Sequence, residues 1–194
     1  MEKIRTFIAV DFSAELINQI GQIIHYFKTQ VPEGALKWVE SKNIHLTLKF
    51  LGDISTERVP LIENILKNEL QHFSSFDIGV EGLGMYPNKK RPRVIWLGIV
   101  GGQSLIEMHQ RLDRALLEVQ VPQEGRAFSP HLTIARVRRR TDPDTAKSIG
   151  TILSQFKVDS LSILRINEVH FYQSDLTRHG PIYTRLISVP LNKV

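Results

Sequence analysis

Cysteine is missing from the 194-residue chain, which removes disulfides, thiolate metal sites and thiol nucleophiles from any account of it. A reducing cytoplasm is permitted, and the chain is read as cytoplasmic. Long apolar runs are missing too. The stretch Phe7 to Val10 is stopped by Asp11, far short of the ~20 residues a membrane span requires, so no membrane association is expected. No low-complexity segment or Gly/Ser linker marks a boundary between independent units. No glycine-rich phosphate loop is present either; Gly101-Gly102 before a helical pattern is more economically a turn.

Length supports a core without staples, and residues 1–194 are read as one domain. The formal charge is +5. Its positive residues cluster in Lys89-Lys90-Arg91-Pro92-Arg93 and Arg136-Val137-Arg138-Arg139-Arg140. Such clusters suit a polyanion, although solvated basic loops would account for them equally well.

Hydrophobic periodicity alternates irregularly between strand and helix, an α+β order. Strands are expected at Ile4–Val10, Leu36–Val39, Ile44–Leu51, Phe76–Met85, Arg93–Val100, Phe128–Val137, Val158–Ile163, Glu168–Gln173 and Ile182–Val189. Helices are expected from a Ser13 cap to Gln30, from Thr56 or Glu57 through the Val59 to Phe73 apolar face, over Gln103–Val119, and over Asp144–Gln155. The first helix should cover a sheet.

One pattern recurs. His45-Leu46-Thr47-Leu48 and His131-Leu132-Thr133-Ile134 stand 86 residues apart. In a strand, alternate side chains share a face. Each motif therefore offers an imidazole and a hydroxyl on one side and two aliphatic anchors on the other. Seven histidines and ten threonines in 194 residues yield roughly 0.4 His-x-Thr by chance, so two such copies with matching aliphatics are informative. The spacing suggests two related lobes meeting at a shared cleft.

Two facing histidines suit the opening of a cyclic phosphodiester. One takes a proton from water and the other returns one to the departing ribose oxygen, and with an ordinary pKa of ~6.5 both roles are accessible near neutrality. Thr47 and Thr133 can hold the non-bridging oxygens. Arg136, three residues after Thr133, carries a fork of donors that suits phosphate, or is a surface cation. No Asp, Glu or third His stands at ligand spacing within either motif, so neither metal nor cofactor is expected. Trp38 and Trp96 could stack bases or belong to the core. His25, His72 and His109 fall on helices and are read as surface or boundary residues.

The chain resembles the 2H phosphoesterase superfamily, marked by two His-x-Thr/Ser-x motifs, and within it the RNA 2′,3′-cyclic phosphodiesterases formerly called 2′-5′ RNA ligases. The resemblance is carried by Arg5-Thr6-Phe7-Ile8-Ala9-Val10, Lys37-Trp38-Val39, Asn43 with His45 to Gly52, Arg91 to Gly98, Phe128 to Arg136, and Ser174 to Tyr183. It implies a bilobal α+β fold, each of two pseudo-symmetric lobes an antiparallel sheet backed by helices, with both motifs lining a central groove. It implies hydrolysis of a terminal RNA 2′,3′-cyclic phosphate to a 2′-phosphate, with His45 as proton donor and His131 as acceptor; separately, the chain is read as a monomer. It further implies that Phe50 contacts the terminal base, yet simple alternation puts Phe50 on the buried Leu46/Leu48 face unless a bulge turns it. Two alternatives stay open: an RNA-binding module without catalysis, and the reverse chemistry, joining tRNA halves, with tRNA fragments as partners, through a 2′-5′ linkage.

Overall fold

The computed structural model describes residues 2–178 and 180–193; His179, which lies within the Ser174 to Tyr183 segment of the resemblance, falls outside the described residues. Among these described residues nine strands and four α-helices run in the order β1 (Lys3–Asp11), α1 (Ala14–Gln30), β2 (Leu36–Trp38), β3 (His45–Ser55), α2 (Val59–Leu70), β4 (Phe76–Tyr86), β5 (Val94–Val100), α3 (Gln103–Ala115), β6 (His131–Val137), α4 (Pro143–Leu153), β7 (Leu164–Ile166), β8 (Glu168–Thr177) and β9 (Gly180–Pro190). Two antiparallel sheets result, ordered β3-β1-β8-β9 and β2-β6-β5-β4-β7.

The lobes are not the two halves of the chain. Strands β8 and β9 return from the C-terminal end to extend the first sheet, while β2, from the N-terminal half, pairs with β6 in the second. Helices α2 and α3 pack together against the first sheet, touching β9 and β3, whereas α1 lies beside α4. Each helix buries one apolar stripe: Leu16, Ile20, Ile24 and Phe27 on α1, and Leu105, Met108 and Leu112 on α3. Fully burying such a side chain is worth about 1.5–3 kcal/mol, and these stripes join the inner sheet faces in one continuous core.

Local signals explain most boundaries. Ser13 caps α1, its hydroxyl accepting from Leu16 N at 3.2 Å, and Asp142 caps α4 through Thr145 N at 2.8 Å. A 3₁₀ turn over Thr56–Arg58 precedes α2, with Pro60 in the first helical turn where its missing N–H costs nothing. The third helix tightens to a 3₁₀ turn at Leu116–Val119 and stops at Gln120, whose φ of 59° is left-handed.

Three expectations are corrected. Residues 158–163 are not a strand: Val158 O and Leu161 N each reach β4 by a single backbone bond, to Gly82 N and Val80 O, and regular pairing begins only at Leu164. The strand expected from Phe128 starts at His131, because Pro130 cannot donate to a ladder. His109 is neither surface nor boundary: it is 4% exposed and stacks on Phe128 with ring centroids 4.3 Å apart. His25 and His72 are exposed as expected. No helix among the described residues is long and apolar enough to cross a membrane.

Candidate active site

Strands β3 and β6 carry the two motifs and approach one another across a groove between the sheets. His45, Thr47, Phe50, His131, Thr133 and Arg136 all line one cavity of about 360 Å³. Beneath them Leu46, Leu48, Leu132 and Ile134 are at most 1% exposed. The alternation inferred from sequence therefore holds for the first four residues of each motif.

Beyond the fourth residue it breaks, in the same way on both strands. On β3, Ala9 pairs with Thr47 and Ile8 with Lys49, so Leu48 has no opposite number. On β6, Trp96 pairs with Thr133 and Ile95 with Ala135, which leaves Ile134 extra. A β-bulge of this kind reverses the facing of everything after it. Lys49 and Ala135 turn into the interior, 1% and 0% exposed, and Phe50 and Arg136 turn out into the groove. Phe50 is 57% exposed, so the core placement that simple alternation gave it is corrected by the bulge.

The histidines are held identically. His45 Nδ1 lies 2.9 Å from Asn43 O and His131 Nδ1 lies 2.8 Å from Ser129 O, each the carbonyl two residues upstream. A carbonyl only accepts, so Nδ1 carries the hydrogen and Nε2 is left as the reactive nitrogen in both rings. Each imidazole also meets a tyrosine edge-on at 87°: Tyr183 at 5.1 Å from His45 and Tyr86 at 5.0 Å from His131.

Their surroundings differ in depth. His45 also stacks on Phe7 at 4.8 Å, and Phe7 in turn stacks on Tyr172 at 5.2 Å. Burial among these rings pulls the His45 pKa below its ordinary value, and the Asn43 carbonyl and the Asp11 carboxylate oppose that pull. Asp11 is itself fixed, accepting from Tyr172 Oη at 2.7 Å and Arg185 Nη2 at 2.6 Å. Burial, with that hydrogen bond, pushes the Tyr172 phenol up to about 12. His45 Nε2 meets Thr47 Oγ1 at 3.1 Å, whereas Thr133 Oγ1 has no hydrogen-bond partner among the described residues. Burial likewise raises the Tyr183 pKa against the opposing charges of Arg136 and Arg5, so its hydroxyl remains protonated at neutral pH.

One wall of the cavity comes from the segment after α3, which supplies Glu124 and Phe128. The inward-turned Lys49 anchors it: Nζ bonds the Asp113 carboxylate and Pro122 O at 3.0 Å, and Asp113 also accepts from Glu124 N at 3.1 Å. Sequence reasoning missed Phe7, Tyr86, Tyr172, Glu124 and this buried pair. It left Trp38 and Trp96 between core and site; Trp38 lines the cavity and Trp96 stands 5.9 Å from the His131 ring. No three His, Asp or Glu side chains cluster as metal ligands among the described residues.

The LigT like Phosphoesterase family model matches residues 10–96 and 98–183, and each stretch contains one histidine motif. A Methanothermobacter thermautotrophicus protein named RNA 2′,3′-cyclic phosphodiesterase is 31% identical over 182 residues, covering 94% of this chain and 96% of its own. A Thermotoga maritima protein of the same name is 32% identical, covering 92% and 91%. The crystal structure of Escherichia coli LigT complexed with 3′-AMP superposes with a TM-score of 0.77 at 26% identity, covering 98% of this chain and 99% of that one. Matched along almost its whole length and in both halves, this chain belongs to the LigT-like family of 2H phosphoesterases.

Proposed function

We propose that the chain hydrolyses the 2′,3′-cyclic phosphate at the end of an RNA, leaving a 2′-phosphate and a free 3′ hydroxyl. His131 Nε2 takes a proton from water as the water oxygen bonds to phosphorus; the bond from phosphorus to the ribose 3′ oxygen breaks, and His45 donates its Nε2 proton to that oxygen. Each turnover leaves His45 neutral and His131 protonated, and exchange with solvent resets them. Thr47, Thr133 and Arg136 hold the non-bridging oxygens where negative charge grows, and Phe50 offers its ring to the terminal base. No step requires a metal or cofactor, and the 194 residues act as one domain.

The observation that supports this is the paired tethering of Nδ1, which leaves Nε2 as the reactive nitrogen on two rings that line one cavity together with two threonines and an arginine. The names borne by the relatives point to the same reaction, and 3′-AMP in the E. coli relative is a ligand of matching kind. The test is product analysis on an oligoribonucleotide ending in a 2′,3′-cyclic phosphate, with EDTA present. A phosphatase-sensitive 2′-phosphate is expected; an unchanged cyclic end, or a 3′-phosphate product, rejects the proposal.

A further inference from the structure

Neither the cavity nor the chemistry above uses the cations at the far end of the second sheet. We infer that this end is a track for the RNA chain on the 5′ side of the reacting terminus, running from Arg136 through Arg138 and Arg139 to the Lys89–Arg93 turn. The inference rests on the proposed cyclic phosphodiesterase activity and specifies how a longer substrate lies.

Connectivity makes the strip continuous with the site. The same strand that supplies His131 and Thr133 turns Arg136 into the groove by its bulge, and Val137 then points inward, 8% exposed, while Arg136 and Arg138 are both exposed. Lys37 sits opposite Arg136 on the neighbouring strand; opposed residues of an antiparallel pair share a face, so it widens the strip. Past the strand end, Val137 N bonds Arg93 O at 3.0 Å and Arg138 N bonds Ala35 O at 2.9 Å, which brings the two basic loops together. From Thr133 to Arg138 the chain advances about 16 Å at ~3.3 Å per residue. That is the length of several nucleotides of a stacked strand at ~3.4 Å of axial rise each.

Beyond Arg136 and Lys37, which line the cavity, the strip is also preformed and uncommitted. Asn88 Oδ1 accepts from Lys90 N at 3.0 Å and Arg91 N at 3.1 Å, and Arg93 N returns to Tyr86 O at 2.7 Å, fixing the turn. Gly150 lets that turn rest directly on α4, since a Cβ there would stand 1.9 Å from Lys89 O. Among the described residues none of these cations is ion-paired. Asp142, the nearby acid, is occupied capping α4. An ordered row of unpaired Lys and Arg leading away from a phosphate-sized cavity matches a chain of phosphodiesters.

The experiment compares kcat/KM for a 2′,3′-cyclic mononucleotide and a cyclic-ended decanucleotide. It uses the wild-type chain, an Arg138→Gln/Arg139→Gln variant, and a control of equal charge, Lys67→Gln/Arg114→Gln, on the helices that back the other sheet. The decanucleotide should be preferred by the wild type and should lose about tenfold in the Arg138/Arg139 variant. The mononucleotide should lose far less, and the salt slope of the decanucleotide reaction should shrink by about 0.7 per contact removed. Equal losses on both substrates, or the same loss in the control, overturn the track. If the wild type hydrolyses neither substrate, the proposed activity fails, and binding of labelled single-stranded RNA then decides the track separately: equal affinity for wild type and variant overturns it, and a weaker variant with an intact control upholds it.

Discussion

Phe50 and Arg136 hold the same place on two different strands: each follows its motif threonine by three residues, and each enters the groove because a bulge two residues earlier reverses the facing of the strand. One lobe thereby contributes an aromatic face and the other a cation at otherwise matched positions. Under the proposed function a pseudo-symmetric scaffold grips an unsymmetrical ligand in this way, with base on one side and phosphate on the other.

These positions should separate kinetically. In the proposed mechanism Arg136→Ala removes a donor that matters most as charge grows on the phosphate, so kcat/KM should drop about 10²-fold, with much of the loss in kcat. On the same proposal Phe50→Ala removes stacking worth about 1–3 kcal/mol per base and should act mainly on KM. Steady-state kinetics on a cyclic-ended oligonucleotide distinguishes them, and the reverse pattern would show that the roles have been exchanged.

How much of this was legible in the sequence depends on whether a feature belongs to one segment or to a pair. The two His-x-Thr motifs, the Ser13 cap and the aliphatic anchors Leu46, Leu48, Leu132 and Ile134 are local, and periodicity displays them directly. The bulges at Leu48 and Ile134 exist only relative to β1 and β5, so the final facing of Phe50 and Arg136 could not be read from β3 and β6 alone. The same reason hid Phe7, which reaches His45 because β1 pairs with β3. It also hid the exchange of β2, β8 and β9 between the lobes. His109 read as a surface or boundary residue because the partner that buries it, Phe128, lies 19 residues away on an irregular segment.

Lys49 turns inward and its side chain is fully buried against Asp113. Removing one member strands the other, which costs about 3–5 kcal/mol, while replacing both with apolar residues of similar size is often neutral. Asp113→Ala should therefore lower the free energy of urea unfolding by that amount, and Lys49→Met/Asp113→Leu should recover most of it. A single-variant loss below about 0.5 kcal/mol would show that the pair does not hold the cavity wall in place.

Burial lowers the His45 pKa and Asp11 raises it. Charge on the ring is favoured by the carboxylate, so Asp11→Asn must move the His45 titration to still lower pH. In the proposed mechanism the protonated ring is the acid, and the alkaline limb of kcat/KM in the free enzyme should follow it downward. NMR titration of the His45 Cε1 proton reads the shift directly; a midpoint at or above 6.5 in the wild-type protein, or an upward move in the variant, contradicts the assignment.

EDTA should leave turnover unchanged, because every group invoked is a side chain of this protein. An activity lost on chelation and restored by a divalent cation would require a metal in the reaction.

The most direct test of two imidazoles acting on one phosphorus is the cycle formed by His45→Ala, His131→Ala and the double variant. Each single substitution should cost about 10²–10⁴-fold in kcat. In the proposed mechanism acid and base serve the same step, so the double variant should be little worse than the poorer single. Losses that multiply, or either single variant retaining wild-type turnover, would show that the two rings do not work as a pair.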